Sequence, residues 1–396
     1  MKDSILVFGV GDLQKSIIER CKAKNLFVVG VDPQPDATCK ELVDAFEIVG
    51  GQDYEKTFEV AERYHVKGII TAATDKPLIM MTRMAERLDL PFFSMETAEC
   101  STDKFLMKQK LMEAGVPCAK GFLLNNMSEL KDIKADYPVI VKPRDNSGSR
   151  GVIYCKSLNE VEIALSEALQ YTRKENVLVE KFIDGKEYSV EGIHYDGESQ
   201  IIQITEKITT AFPYNVELAH IQPADISTDQ QNEIHSLISK TAKALGFENC
   251  ASHTEIRINS KGIYVIETSP RLGGDYISST LVPLSTEINM EDILIEIATN
   301  KHLTQDCFKT AINKFSAIKY FELSSGIIIS LNGLDRLNTI QGIRQWNFRL
   351  KPGEEVNRIT SSLNRYGYAI FQTDTAAELE KCMSKCKVIT DALVMK

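Results

Sequence analysis

Short apolar runs alternate with amphipathic stretches along the first quarter of the chain. Ser4–Gly9, Phe27–Asp32, Gly68–Thr71 and Pro91–Ser94 have the length and apolar content of buried strands. Between them, Leu13–Lys24 and the stretches 54–65 and 76–88 repeat apolar positions at helical spacing. This alternation predicts βαβ units on a parallel sheet, covering roughly residues 1–97.

The pattern then changes. The spacing predicts a helix over 102–115, capped by Ser101 or Thr102, with Pro117 just past its end. Strands are predicted at Gly121–Leu124, Val139–Lys142, Gly151–Tyr154, Val177–Phe182 and Glu187–His194, with a helix over 157–172. A third block has a strand at 201–209, a helix at 229–245, a hairpin over 252–269 and a helix at 290–299. From about 304 the tail reads as short strands and one last helix, 375–391. The chain has 396 residues, more than one ordinary core accommodates. Four units are expected, 1–100, 101–200, 201–300 and 301–396, of α/β and α+β class.

Charge and composition exclude some functions. Lys and Arg total 46 against 55 Asp and Glu, a net charge of −9, which argues against a nucleic-acid surface. No apolar run approaches the ~20 residues of a membrane span. The opening MKDSILVFGVG brings an acid at once and no small-residue cleavage pattern, so it is expected to be a first strand rather than a leader. Nine cysteines are scattered without a CxxC pair, and Cys382 and Cys386 lack a matching His or Cys cluster. Free thiols in a cytoplasmic protein are the expectation.

Three stretches carry candidate chemistry. In the first, strand-like Val139–Lys142 ends at Pro143, and Arg144-Asp145-Asn146-Ser147-Gly148-Ser149-Arg150-Gly151 follows. Small residues let backbone N–H groups approach phosphate oxygens, and Lys142 adds a point charge. In the second, 177–188, Glu180 and Glu187 sit in apolar or extended surroundings, where a carboxylate needs partners.

The third, His253–Asn259 and Ile263–Arg271 about a Gly-containing turn, is the most informative. If the loop is Ser260–Gly262, Glu255 lies opposite Glu267 and His253 opposite Ser269. Side chains alternate faces, so the two carboxylates share one face ~5 Å apart. They repel unless a positive group lies between them. A hard divalent cation fits, since Mg²⁺ is commonly held by one or two carboxylates and substrate phosphates. Without metal, at least one of the pair is expected to have a raised pKa. A two-residue turn would spoil this register. Arg271 then offers a fork suited to a carboxylate or phosphate, and Gly273-Gly274 would allow a ligand to approach the backbone.

These pieces, in this order, resemble the ATP-grasp superfamily over nearly the whole chain. Gly9-Val10-Gly11 and its βα surroundings resemble the preATP-grasp domain, and Asp103-Lys104 with Lys108 the start of the linker helix. The resemblance implies an ATP-grasp fold with an N-terminal parallel-sheet domain and a β-rich C-terminal cap. It implies that Lys104 and Lys142 meet phosphates and that the 145–151 loop, with Ser147, Gly148, Ser149 and Gly151, closes over the nucleotide. Glu180, Lys181 and Ile183 would hold adenine, Glu187 the ribose, and Glu255 and Glu267 Mg²⁺ or Mn²⁺. The usual Asn-Pro-Arg triplet is here Ser269-Pro270-Arg271, so Ser269 would be a weaker third ligand.

Within the superfamily the chain is most similar to L-amino-acid and other carboxylate–amine ligases. Glu217-Leu218-Ala219-His220-Ile221-Gln222-Pro223 and Arg271-Leu272-Gly273-Gly274-Asp275 match their substrate-side segments, and stretches 318–321 and 361–368 their C-terminal cap. Glu217, His220, Arg257, Arg271, Gly273 and Gly274 are accordingly expected on the substrate side, with Arg271 and Lys142 catalytic. The implied reaction uses ATP, forms an acyl phosphate and releases ADP and phosphate. Its partners are a small carboxylate and an amine, amino acids among them; neither nucleic acid nor membrane is a partner, and a homodimer is among the expected assemblies. Rival readings are an ATP-grasp enzyme using bicarbonate or a phosphoribosylamine, and a nucleotide-binding protein without turnover. A dinucleotide dehydrogenase fits only Asp32, because Gln14 occupies the third glycine position of the fingerprint.

Overall fold

The computed structural model describes residues 2–126, 128–129 and 136–395. Its first sheet is parallel, with β1 (Ser4–Phe8), β2 (Phe27–Asp32), β3 (Ala45–Ile48) and β4 (Val66–Ile70) in the order β3-β2-β1-β4. Every residue of β1 is buried, as expected of a strand covered on both faces. The strand expected at Pro91–Ser94 does not form. Pro91 has no N–H for a ladder, and Ser94 Oγ instead accepts from Thr97 N, capping a helix over Met95–Thr102. The edge strand beside β2 is β3, which the apolar pattern missed because three of its residues are only partly buried and Ile48 is exposed.

The helix expected over 102–115 is two helices. Ser101 and Thr102 end the first, and Asp103 caps the second, Lys104–Glu113, through Oδ1 to Phe105 N and Leu106 N. Arg144 braces the cap by donating to both Asp103 oxygens. This joint aims Lys104 and Lys108 at the site described below.

The second sheet contains β5 (Gly121–Leu124), β6 (Val139–Pro143), β7 (Ile153–Cys155) and β8 (Val177–Lys181), in the order β5-β8-β6-β7. The helix Leu158–Ala168 covers it with Val161, Ala164 and Leu165, giving this unit its own core.

The third sheet is antiparallel and has eight strands. These are β9 (Lys186–Tyr195), β10 (Glu198–Thr209), β11 (Glu217–Gln222), β12 (Cys250–Asn259), β13 (Gly262–Ser269), β14 (Phe315–Tyr320), β16 (Ile343–Phe348) and β18 (Gly367–Thr373). Their order is β13-β12-β9-β10-β11-β14-β18-β16. The remaining strands, β15 (Gly326–Ile328), β17 (Glu355–Val356) and β19 (Val394–Met395), form a small separate sheet. The tail therefore extends the sheet that carries the hairpin, through β11 pairing with β14. The expected boundary at 200/201 falls inside the β9–β10 pair. We propose moving it to the 182–185 connection, with the tail as a continuation of the large sheet. Among the described residues no helix is long and apolar enough to cross a membrane.

Candidate active site

A cavity of about 610 Å³ opens between the second sheet, the large sheet and the tail. Most of the residues singled out in the sequence line it: Lys104, Lys142, Ser147, Gly148, Ser149, Glu180, Lys181, Ile183, Glu187, Glu217, His220, Glu255, Arg257, Glu267, Ser269, Arg271 and Gly274. Gly151 and Gly273 do not line it and act from behind.

On the second-sheet side, β8 delivers Glu180 between two ammonium groups. Lys142 Nζ is 2.7 Å from Oε1, and Lys108 Nζ is 2.9 Å from Oε2. Both oxygens of the buried carboxylate thus face an ammonium group. Burial favours neutral Glu180, yet the charges of Lys108 and Lys142 outweigh it and hold the carboxyl below its usual range. Burial dominates for Lys142 and lowers its pKa despite Glu180, with the like charge of Lys108 adding to the effect.

The loop after β6 has left-handed backbone at Gly148 and Ser149 (φ 72° and 57°) and again at Gly151 (φ 72°). At Gly151 a Cβ would come 2.8 Å from the Tyr171 ring and 3.1 Å from Pro143, so a larger residue forces its neighbours to shift as well as straining the backbone. Lys104 donates to Asn146 O at 2.6 Å, tying the loop to the linker helix. Lys181 points outward and pairs with Asp136, so only its backbone side faces the cavity. Tyr154, Phe182 and Phe212 form a ring cluster lining the same end, with centroids 4.4–5.1 Å apart.

Glu187 is saturated: Lys207, Arg257 and Asn215 all donate to it. Arg257, expected on the substrate side, is instead committed here. It holds Glu187 at 2.7 Å, donates to Ile183 O at 3.0 Å and lies over the Phe182 ring.

The β12–β13 hairpin places Glu255 opposite Glu267 and His253 opposite Ser269. The turn is nevertheless not the expected one. Asn259 pairs with Gly262, so only Ser260 and Lys261 lie in the loop. A bulge restores the register, because Ile256 pairs with Val265 and Ile266 is the extra residue. The freed Ile266 carbonyl accepts from Lys108 Nζ at 3.2 Å.

The expected repulsion within the carboxylate pair is also corrected. Each carboxylate has a lysine beside it: Lys207 is 2.8 Å from Glu255 and Lys104 is 2.8 Å from Glu267. Burial disfavours ionised Glu255, but Lys207 and then His253 outweigh it and hold its pKa well below the carboxylate range, not above it. For Lys104, burial is outweighed by Glu267, and the pKa rises.

Further along the hairpin, Ser269 Oγ donates to Asp75 at 2.8 Å and Arg271 Nε pairs with the same oxygen at 2.5 Å. Asp75 comes from the N-terminal sheet unit and so locks that unit to the hairpin. Gly273 has a different purpose from the one expected. A Cβ there would sit 2.7 Å from Glu191 and 2.8 Å from His253, which pair at 2.6 Å, Glu191 fully buried and His253 at the cavity wall. The charge of Glu191 overcomes burial and pushes His253 up to about 9. His220 Nε2 is 3.2 Å from Asp275, which Arg365 grips with both terminal nitrogens at 2.6 and 2.8 Å. His220 Nδ1 is buried without a partner.

Four elements escaped the sequence: Lys207, Asp75, the Glu191–His253 pair and Arg365. Lys207 is the largest omission, as a buried ammonium within 3.3 Å of Glu187, Glu217 and Glu255. A signal existed. In Ile204-Thr205-Glu206-Lys207-Ile208 the lysine is buried while Ile208 is 41% exposed, a reversal of the usual strand alternation.

Among the described residues no three His, Cys, Asp or Glu side chains converge as a metal cluster. Glu255 and Glu267 still suit Mg²⁺, which needs few carboxylates when phosphates complete its shell. Their lysine partners already show that both oxygens attract cations. Glu180 lines the cavity between Lys108 and Lys142, which already neutralise it.

Comparison with known proteins adds names. Residues 135–280 match the ATP-grasp domain family, and residues 319–386 match L-amino acid ligase C-terminal domain 2. Alanine–anticapsin ligase of Bacillus amyloliquefaciens is 29% identical over 248 residues, 56% of this chain and 51% of that protein. Dapdiamide A synthase of Enterobacter agglomerans is 23% identical over 86% of this chain and 83% of its own. The chain spans 51–64% of the length of the first curated relatives it matches. L-amino acid ligase from Bacillus licheniformis shares the fold with a TM-score of 0.83 at 20% identity, covering 98% of this chain and 97% of that one. Phosphoribosylglycinamide synthetase from Anaerococcus prevotii does so with a TM-score of 0.76 at 21% identity, over the full length of both.

Proposed function

Since the chain is built on an ATP-grasp domain and ends in an L-amino acid ligase C-terminal domain, we propose that it is an ATP-dependent carboxylate–amine ligase acting on amino acids. The observation that supports this best is the placing of Glu255 opposite Glu267 in a cavity that also presents Lys104, Lys142, Lys207 and Arg271. Carboxylates that can hold a metal and several cations in one space suit phosphoryl transfer, whose catalysis is mainly positioning and electrostatic stabilisation.

In this reading ATP lies with its base among Tyr154, Phe182 and Ile183 and its phosphates under the 145–151 loop. Mg²⁺ held by Glu255 and Glu267 would supply charge neutralisation on the phosphates. Lys142, Lys104 and Arg271 offset the repulsion between polyphosphate and incoming carboxylate. A carboxylate oxygen attacks the γ-phosphorus, the bond to the β-phosphate oxygen breaks and ADP leaves. The amine nitrogen then attacks the acyl carbon, the bond to phosphate breaks, and the amine proton passes to solvent or phosphate. The loop excludes water from the acyl phosphate between the two steps. All nine cysteines are free, and we place the enzyme in the cytoplasm.

The test is an ADP- and phosphate-release screen over pairs of carboxylates and amines, with bicarbonate as a separate arm. Release that needs both an acid and an amine is expected. Turnover with bicarbonate alone would replace this reading with a carboxylase-type one, and no turnover with any pair would end it.

A further inference from the structure

Beyond the phosphate-facing cations, the cavity ends in a wall of a different character. Tyr276, Tyr320 and Tyr368 line it beside Leu13 and Ile277. The Tyr276 and Tyr368 ring centroids are 4.9 Å apart, and those of Tyr320 and Tyr368 6.4 Å. The edge of His220 faces Tyr320 at 6.5 Å.

The backbone here is forced. Asp275 and Tyr276 are consecutive left-handed residues, φ 51° and 63°, leading into a π-helical turn over Ile277–Leu281. A bulky residue pays a conformational penalty at such a φ, and strain of this kind gathers at ligand sites. Two contacts from the tail hold it. Arg365 grips Asp275 with both terminal nitrogens, and Tyr368 Oη donates to Tyr276 Oη at 2.9 Å. Arg365 also lies 3.8 Å over the Tyr320 ring.

Most charges at this end pair internally; Arg349, which also lines the cavity, has no carboxylate partner among the described residues and donates to Arg365 O. Asp275 pairs with Arg365, Asp75 with Arg271, and Glu217 with Lys207. What stays open to a ligand is ring face and Leu13, which is 51% exposed. At the mouth, Asp12 accepts the Thr38 hydroxyl at 2.8 Å and has no cation partner among the described residues.

We infer that this wall is a side-chain subsite that selects an amino acid with an apolar side chain. Tyr276 and Tyr368 act as specificity residues, and Asp12 supplies a counter-charge for the substrate ammonium. Stacked or edge-on rings bury such a side chain without leaving a polar group unpaired. A charged side chain would find most of its natural partners already engaged, the exposed Arg349 excepted. Tyr368 carries the specificity through its ring and positions Tyr276 through its hydroxyl. The inference rests on the ligase reading for its reaction, but not for its binding.

The experiment therefore has a binding arm and a turnover arm. Calorimetric titration of the wild-type protein with leucine, phenylalanine, glycine, aspartate and lysine is expected to rank the apolar pair at least tenfold tighter than the charged pair. In turnover, Tyr368→Ala should lower the leucine-over-serine ratio of kcat/KM about tenfold, mainly through KM. Tyr368→Phe keeps the ring and should retain the ratio, and both variants are checked by thermal melts for folding. Asp12→Asn should weaken every amino acid alike. Preferred binding of aspartate or lysine, or an equal loss for all substrates in Tyr368→Ala, overturns the inference. Binding with the expected order but no turnover would sink the ligase reading and leave the subsite standing.

Discussion

Lys207 and Glu255 meet at 2.8 Å across the middle of the large sheet, and the same ammonium lies 2.8 Å from Glu187 and 3.3 Å from Glu217. One buried cation thus joins a candidate ribose contact, a candidate substrate contact and a candidate metal ligand. Burial alone would lower its pKa, but the three carboxylates raise it well above the usual lysine value.

Removing that cation leaves carboxylates facing one another in a half-dry site. Breaking a buried ion pair by deleting one partner typically costs about 3–5 kcal/mol. Lys207→Met is therefore expected to be destabilised by a few kcal/mol in urea denaturation, with added Mg²⁺ recovering part of the loss by replacing the ammonium. A variant as stable as wild type would mean that the three carboxylates do not depend on Lys207.

The fold was largely legible because its elements obey their periods, from the βα alternation at the start to the 250–269 hairpin. The site was legible where a charge stood in an apolar context, as at Glu180, Glu255 and Glu267. Long-range pairing was not legible. Nothing near Ser269 or Arg271 announces Asp75, which lies 194 residues before Ser269. The hairpin shows a subtler limit: the three-residue loop was wrong, and the register held only because Ile266 bulges. A bulge has no local sequence signature here, since its visible consequence is a carbonyl turned toward Lys108 from another helix.

Lys142 can be removed with less structural consequence than Lys207, because Lys108 remains beside Glu180. Lys142→Ala should fold, with a melt within a few degrees of wild type. A charge-assisted contact to phosphate is worth about 1.5–3 kcal/mol, so kcat/KM for ATP should fall roughly 10–100-fold. Unchanged kinetics would remove Lys142 from the nucleotide site.

The products should be ADP and inorganic phosphate, with no AMP or pyrophosphate. Cations and carboxylates converge near one end of the cavity, the arrangement needed for attack on a terminal phosphorus. Chromatography of a completed reaction distinguishes the two outcomes, and stoichiometric AMP would contradict the proposed mechanism.

His194 predicts how stability responds to acid. Its ring nitrogens lie 2.9 Å from Ser199 Oγ and 2.7 Å from Ser252 Oγ, away from the cavity, and burial lowers its pKa to about 4. The unfolded chain takes up this proton near pH 6.5, before the folded protein does. The contribution of His194 is thus fully present above about pH 6.5 and is lost as pH falls toward 4, by roughly 3 kcal/mol for a shift of this size. Urea midpoints measured from pH 7 to pH 4.5 should fall steeply in wild type and less steeply in His194→Gln. Parallel slopes would mean that other groups control the acid response.

Glu267 separates folding from function most directly. Two bare opposed carboxylates would make Glu267→Gln stabilising in the metal-free protein, but Lys104 sits 2.8 Å from Glu267 and is itself buried. Replacing the carboxylate with an amide keeps the shape and removes the countercharge that keeps Lys104 ionised. The metal-free variant should therefore be level or modestly less stable, not more. Turnover supported by Mg²⁺ should collapse, because one of the two proposed charged ligands is gone, and Mg·ATP should raise the melting temperature of the variant much less than that of wild type. The decisive measurement is a pair of melts with and without Mg·ATP, set beside ADP release. If Glu267→Gln melts lower as the free protein yet turns over ATP normally and gains the full Mg·ATP shift, Glu267 is a structural partner of Lys104 and the metal assignment fails.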